Sequence, residues 1–596
     1  MYPVNEATLR RILQNTQAFA PFPTVADRDA WEARLDHPVA RIILGMSDSV
    51  AASPVPALPA TLALDFDRSG QRQPFEAQYF SRRTRLNVLT LAECLKNEGT
   101  YLPAIVETMQ AICDESNWAM AIRLRPTGPA DIDIYATGTG MLLAETDYLL
   151  GDLLPAELRA RVRKECSVRL IEPYLGATQF TWDNPISATG IVAAALYLES
   201  DVTLQARVLN KALGKLPAYL DDFSAESSRY GGSSYFSILH YAVLGHLVEA
   251  RTSGEIDMFD HPNMKDICRF VTGMELSPGE FINFSDQARA VVKAAGICCW
   301  LGNRVGVSAL VEMGRRTLPF MTADRVHSDA YRRGRFRPEF IFRTLLWADT
   351  VPASPAKHRA TTLMRGFQWL ISRYDADDPK TLVLAAKGGH NGEDQNHNDV
   401  GQFIIHYAGE SFVVDPGART FARDFSQEDR YEQLECRSRG HCVPVVNGWE
   451  QSPGQEYAAK LVGTELTANG DRMELELSGA YSSKAGIESV RRRVSLVRME
   501  PKGQIIVRDD FHFEDPPNLY ESRVYTYASV QQVAPGYLRL TGKNAVMAIR
   551  YDAHNVVLRL EDMQGGDNTP PGATLHRLRF VQLAHKDSMI LRFVPE

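Results

Sequence analysis

Up to about residue 370 the apolar positions recur every three or four residues. RLNVLTLAECLKNEG, LPAIVETMQAICDE, ATGIVAAALYLES, SYFSILHYAVLGHLVEA and ARAVVKAAGICCWLG each put an apolar stripe along one face of a helix. Short stretches rich in Gly, Pro, Asp and Ser, such as EPYLGATQFTWDNP and RYGGSS, separate them. Successive helical hairpins of this kind close into a toroid or stack as a bundle, and no fixed repeat length chooses between the two. From about residue 375 the period falls to two. TLVLAAKGG, QFIIHYAGESFVVD, DRMELELSGAY, RRRVSLVRM, QIIVRDDFHF and YLRLTGKNAVMAIRY read as strands between turn residues, with AGE at 408–410 as a hairpin turn. The change of period predicts two domains: an α-helical one over 1–374 and an antiparallel β-sandwich over 375–596, joined near ISRYDADDPK.

Composition narrows the class without naming a function. A chain of 596 residues, 44% hydrophobic and 23% charged, is globular and too long for one ordinary domain. The formal net charge of −8 argues against broad nucleic-acid binding, while leaving room for an acidic ligand in a local basic cleft. No run of about 18 apolar residues occurs, so no membrane span is predicted. The start, MYPVNEATLRRILQ, lacks the charged and apolar regions of a signal peptide, so a cytoplasmic location is expected. A chain shortened from a periplasmic or secreted precursor would read the same. The eight cysteines include no CxxC pair and predict reduced, buried thiols.

The densest polar chemistry is GGHNGEDQNHNDVGQF at 388–403, followed closely by ESFVVDPG. His397 lies in the loop after TLVLAAK, Asp415 ends the strand SFVV, and His441 begins the strand HCVPVV. Imidazoles and a carboxylate on strand ends make a ligand set for zinc, with manganese as the alternative. Neighbouring strands can bring ends tens of residues apart within a few ångströms. Hydrogen-bonded or surface histidines are the plainer reading that spacing alone leaves open.

Basic clusters offer a second kind of chemistry. YRRGRFRPEF holds Arg332, Arg333, Arg335 and Arg337, and SRRTR holds Arg82, Arg83 and Arg85. Guanidinium forks match carboxylates and sulfates, although a charge run is more often a solvated face. The run 491–493 sits in an apparent strand and reads as structural. GTGMLL lacks the third glycine of a dinucleotide site, and neither GxSxG nor HExxH is present. Glycan hydrolysis would need two facing carboxylates; Glu115, Asp183 and Glu226 are available, with nothing in the sequence to pair them.

KGGHNGEDQNHNDVGQFIIHYAGESFVVDPGARTF, with RYEQLECRSRGHCVPVVNGWEQSPGQEYAA downstream, resembles the heparinase II/III-like polysaccharide lyases over roughly residues 381–460. The resemblance implies an (α/α) toroid followed by an antiparallel β-sandwich. It implies β-elimination on a uronate glycan, a glycosaminoglycan such as heparan sulfate, chondroitin sulfate or hyaluronan, with alginate or other oligouronates as the alternative. It also implies His397, Asp415 and His441 as ligands of a divalent ion. Gln395 stands where the family pattern has its first histidine, which takes part in catalysis in several members. Glutamine cannot exchange a proton near neutral pH, and His390 is the natural substitute.

The reaction sets demands that the remaining assignments answer. The C5 proton of a uronate is barely acidic, so the site must neutralise the carboxylate, take the proton and protonate the leaving oxygen. TWDNPISATGIV resembles a family segment that makes Asn184 the carboxylate neutraliser and sets Trp182 beside the substrate; a turn or N-cap asparagine is the plainer reading. AESSRYGGSSYFSILHY occupies the place of the family's tyrosine segment, which makes Tyr235 the general base and acid, with Tyr230 and Tyr241 as runners-up. A tyrosine with a pKa of about 10 needs a nearby cation for this work. Arg229, Tyr230, Trp182 and Arg335 are the expected substrate-binding residues. His240 reads as a buried helix histidine, and Arg430 and Tyr431 match the family's R-Y-E without a role that the sequence assigns. The expected partner is an acidic poly- or oligosaccharide, with no nucleic acid and no membrane. A glycan-binding relative that keeps the metal and has lost its proton chemistry through Gln395 is the non-enzyme alternative.

Overall fold

The computed structural model describes residues 5–16, 19–69, 73–120, 132–177, 185–221, 234–285, 294–323, 338–354, 358–393, 396–417, 429–565, 569–570 and 572–596. The helical spacing read above becomes a ring. Gln73–Lys96, Ile134–Leu150, Pro185–Leu198, Ser234–Thr252, Ala295–Val305 and Pro338–Trp347 each pack on the next, and the last returns to the first. Leu102–Cys113, Val202–Leu213 and Ser308–Thr317 pack against single members of that ring. Ile134–Leu150 and Pro185–Leu198 are buried on nearly every side, the condition under which a helix carries apolar residues all round. Their backbones approach closely at Gly190, where an added Cβ would lie 2.4 Å from the Thr137 carbonyl oxygen. Inside the ring the fully buried Arg343 pairs with Glu145 at 2.5 Å.

The SRRTR arginines belong to this framework and not to a ligand surface. Arg83 grips Glu115 with two hydrogen bonds of 2.7 and 2.6 Å, Arg82 adds a third of 3.0 Å, and Arg85 donates to Thr108 Oγ1 at 3.0 Å. A desolvated guanidinium is tolerable only when paired in this way. The same contacts remove Glu115 as a hydrolytic carboxylate.

The sheets begin earlier than the predicted boundary at 375. Thr361–Met364, Trp369–Arg373, Val383–Lys387, Phe403–Tyr407 and Glu410–Val413 form one antiparallel sheet in that order. Trp369–Arg373 is buried on both faces, so its apolar run shows no alternation and cannot be told from a helix by period. Trp369, Ile371, Val383, Ala385 and Ile404 face the helical core, whereas Leu370, Leu384, Ala386, Phe403 and Ile405 face a second core. This sheet is therefore a middle layer with one face for each half of the molecule.

The second core is closed by two further antiparallel sheets. The larger has eight strands, in the order Lys460–Thr467, Gly470–Glu476, Ile487–Val497, Gln504–Phe513, Lys586–Pro595, Val546–Arg550, Tyr537–Thr541 and Ser529–Ala534. The smaller has four: Val557–Met563, Leu575–Leu583, Leu519–Thr526 and Val445–Val446. Strict alternation along Ile487–Val497 and Gln504–Phe513 buries Val490, Val494, Leu496, Ile505, Val507 and Phe511, each contributing about 1.5–3 kcal/mol. All eight cysteines are buried and none is in a disulfide. Among the described residues no helix is long and apolar enough to cross a membrane.

Candidate functional site

Between the strands Val383–Lys387 and Phe403–Tyr407 the chain makes an excursion, 388–402, that carries most of the polar residues quoted above. The excursion closes on itself where Lys387 N donates to the Gln402 carbonyl (3.0 Å) and Gly401 N to the Lys387 carbonyl (2.9 Å). His390 and Asn391 pair with Gly454–Ala458 as a short ribbon. Further along, Asn398 N donates to the Cys436 carbonyl at 2.9 Å, which ties this loop to the segment bearing His441. His441 does not begin a strand as expected. It follows the single turn Ser438–Gly440, and pairing starts only at Val445–Val446. That turn packs so tightly that a Cβ at Gly440 would sit 1.9 Å from the Leu434 carbonyl oxygen.

The two histidines meet. The rings of His397 and His441 lie 5.1 Å apart, and both side chains are fully buried. Donor atoms of His397, Asp399 and His441 all lie within 4.8 Å of one another. Asp415 also faces His441, with Oδ2 3.3 Å from His441 Nδ1 and Oδ1 accepting from Gly417 N at 2.8 Å. Neither ring nitrogen of His441 makes a hydrogen bond among the described residues. Leaving such a buried group unsatisfied costs about 1–3 kcal/mol.

Charge is concentrated here despite the burial. Burial pushes the Asp415 carboxyl up, but His441, His397 and the Gly417 N–H outweigh it and hold the group below the usual carboxylate range. Burial works against a charged His441, and Asp415 beside it outweighs that, raising the imidazole above its ordinary value. Lys387 Nζ lies 2.7 Å from Asp399 Oδ1, both fully buried. Burial opposes the ammonium, yet Asp399 and Glu393 keep it protonated. The helical half reaches this centre through Asn283, which donates to the Asp415 carbonyl at 3.0 Å, and through Ser285, whose hydroxyl accepts from Lys387 at 3.4 Å.

Residues outside the quoted loop hold it in shape. Gln451 accepts from Asn391 Nδ2 (3.1 Å) and Val400 N (3.0 Å) and donates to the Val400 carbonyl (2.7 Å). Arg492, fully buried, forms a two-pronged pair with Asp509 at 2.7 Å and donates to the carbonyls of Gly401 (2.9 Å) and Cys442 (2.7 Å). It thus joins both histidine-bearing segments from the eight-stranded sheet, which is the structural role read for that arginine run. Arg430 Nε donates to the Asn396 carbonyl at 2.6 Å, and Tyr431 Oη accepts from Asn396 Nδ2 at 3.1 Å, so this pair braces the loop.

The other expected site residues divide sharply. His390 is half-buried; its Nδ1 accepts from Gly392 N at 3.1 Å, so the neutral ring carries its proton on Nε2. Burial, assisted by Lys387, lowers its pKa and favours that neutral form. Tyr235 is in the first turn of Ser234–Thr252, and its side chain lies outside the described residues. Asn184, Trp182, Arg229, Tyr230, Gln395 and Arg335 also lie outside them. Tyr241 is a core residue whose hydroxyl donates to the Met258 carbonyl, and His240 is buried against Phe340.

Sequence reasoning missed Asp399, Lys387, Gln451 and Arg492 as parts of the site. Asp399 and Lys387 stood within the quoted motif, where counting every acid and base in the loop would have found them. Gln451 and Arg492 carry no such signal, because only folding brings them to the loop.

No protein-family model and no curated protein matches the chain. Solved structures do. Heparinase III matches with a TM-score of 0.64 at 10% identity, covering 99% of this chain and 89% of that one. A mutant of the heparan sulfate lyase HepC from Pedobacter heparinus matches with a TM-score of 0.60 at 12% identity, covering 99% and 87%. The chondroitin AC lyase of Streptomyces coelicolor A3, in complex with chondroitin sulphate, matches with a TM-score of 0.50 at 12% identity, covering 99% and 82%. A ring of helices followed by antiparallel sheets, matched along nearly its whole length, gives this chain the fold of the heparinase-like lyases.

Proposed function

We propose that the chain is a polysaccharide lyase that cleaves uronate-containing glycans, glycosaminoglycans in the first place, by β-elimination. The observation that carries the reading is the buried meeting of His397, His441, Asp399 and Asp415 where the helical half touches the middle sheet. It occurs in a fold shared with proteins described as heparan sulfate and chondroitin lyases.

The donor set fits a divalent ion, zinc first and manganese second. His397, His441 and Asp399 would hold it, and Asp415 would either join them or accept from His441 Nδ1 and so turn Nε2 toward the ion. When bound, such an ion supplies positive charge that eases deprotonation nearby.

The chain's own groups divide the remaining work. His390, a donor through Nε2, suits the substrate carboxylate and not the C5 proton. Asn184 and the amide of Gln395 share that neutralising task in this reading. Tyr235 Oη takes the C5 proton, the electron pair becomes the C4–C5 double bond, the C4–O bond breaks, and the leaving oxygen receives the proton from Tyr235. Arg229, Tyr230, Trp182 and Arg335 bind the flanking sugars.

Incubation with heparan sulfate, chondroitin sulfate, hyaluronan and alginate in separate samples tests this, read as ultraviolet absorbance of the unsaturated uronate. Rising absorbance with at least one glycan is expected, and Tyr235→Phe should abolish it while leaving binding nearly intact. One observation favours a second reading, a glycan-binding relative that keeps the metal: Gln395 stands at the place of the family's catalytic histidine and cannot exchange a proton near neutral pH. A flat trace on all four glycans, from folded and metal-supplied protein that still binds one of them, selects that reading.

A further inference from the structure

The outward face of the four-stranded sheet carries an arrangement that strand packing disfavours. Cross-strand register sets Arg523 opposite Arg579, and Arg579 opposite Arg559, so three arginines stand in a row across three adjacent strands. Like charges directly opposite one another weaken a sheet. Arg577, two residues from Arg579, faces the same way, and Arg439 approaches from the segment that covers the sheet. Arg439, Arg523, Arg577 and Arg579 line a cavity of about 140 Å³, with Glu521 as the one carboxylate among the described residues of its wall.

Neighbouring carboxylates are each shared. Glu521 accepts from Arg579 at 2.8 and 2.7 Å and also from Arg523. Glu561 accepts from Arg579 at 2.8 Å and from Arg577 at 2.7 Å. Glu450 serves both Arg439 (2.9 Å) and Arg437 (2.6 Å). The Arg523 side chain is 3% exposed, and its Nη1 makes no hydrogen bond among the described residues. A buried charged donor in that state calls for an acceptor.

We propose that this arginine row is an oxyanion site that takes a sulfate or carboxylate group, in the first place one borne on an acidic sugar chain. The choice of a sugar chain rests on the lyase reading; the oxyanion chemistry does not. Guanidinium forks pair with both groups through parallel hydrogen bonds. The cavity, at about 140 Å³ against about 30 Å³ for one water, admits such a group with its hydration. Arg439 stands two residues before His441, so one segment borders both this cavity and the histidine centre.

Calorimetric titration of the full chain at fixed ionic strength, with sodium sulfate and with a size-defined heparin hexasaccharide, tests the proposal. Wild type is compared with Arg439→Gln/Arg559→Gln, two exposed positions whose replacement spares the core. Binding of either probe should weaken about tenfold in the double variant. A response to sulfate alone assigns the site to free oxyanions, and a stronger response to the hexasaccharide assigns it to a sugar chain. Protection of Arg439 and Arg559 from phenylglyoxal by the same probes, read by mass spectrometry, must agree. No binding to wild type, or unchanged binding and no protection, overturns the proposal. Failure of the lyase reading looks different: no unsaturated product forms, while the titration difference persists.

Discussion

His406 and His441 are both fully buried, and their surroundings differ in one respect. Each ring nitrogen of His406 meets a hydroxyl, Ser411 Oγ at 3.0 Å and Ser277 Oγ at 2.9 Å, so the imidazole is complete as a structural bridge. His441 has two ring nitrogens without a hydrogen bond among the described residues, next to Asp415, Asp399 and His397. His246 resembles the first case, meeting the Pro21 carbonyl at 3.1 Å within a cage of Phe22, Trp300 and Trp347. Burial alone therefore does not single out a ligand; the proposed metal reading rests on unsatisfied nitrogen facing carboxylate.

The comparison breaks most visibly at the support beneath His441. Arg492→Leu leaves Asp509 buried and unpaired and frees the carbonyls of Gly401 and Cys442, so it should cost about 3–5 kcal/mol in urea unfolding. A loss below about 1 kcal/mol would mean that the two histidine segments hold together without it.

Acid titration separates the two kinds of histidine by sign. Burial lowers His246 from 6.5 to about 4, with Arg343 assisting. Between those values the unfolded chain binds the extra proton, so stability falls as pH drops from about 6.5 to about 4, by roughly 3 kcal/mol for this residue. His441, in metal-free protein, is shifted upward, so its contribution is full below the ordinary histidine pKa and is lost as pH rises through the folded one. Unfolding free energies against pH for wild type, His246→Phe and His441→Gln should show slopes changed in opposite directions. Equal changes of the same sign would erase the distinction.

His406→Gln is the smallest of these changes. It keeps one hydroxyl contact and should cost about 1–2 kcal/mol while leaving metal uptake unaltered. A clear fall in metal content would place His406 with the ligands.

The helices and most strands were legible because their apolar periods were intact, as in LPAIVETMQAICDE and QIIVRDDFHF. Trp369–Arg373 was not, because a strand buried on both faces loses its alternation, and Thr361–Met364 was not, because it is half-buried along its whole length and shows no alternation either. The SRRTR arginines were misleading for a related reason: sequence shows a cluster of charge but not the Glu115 that consumes it. His397 and His441 were legible as candidates, and Asp399 was within reach of the same reading, whereas Gln451 and Arg492 needed the chain to fold. The arginine row was invisible, since register alone unites positions 523, 559 and 579.

The most direct test is a zinc and manganese titration of chelator-treated wild type, His441→Ala and His406→Gln, read by calorimetry with elemental analysis. One ion per chain in wild type and His406→Gln, with binding at least about a hundredfold weaker in His441→Ala, is the predicted result. No stoichiometric ion in wild type, or equal binding by all three proteins, would contradict the assignment of the His397–Asp399–His441 cluster as the metal centre.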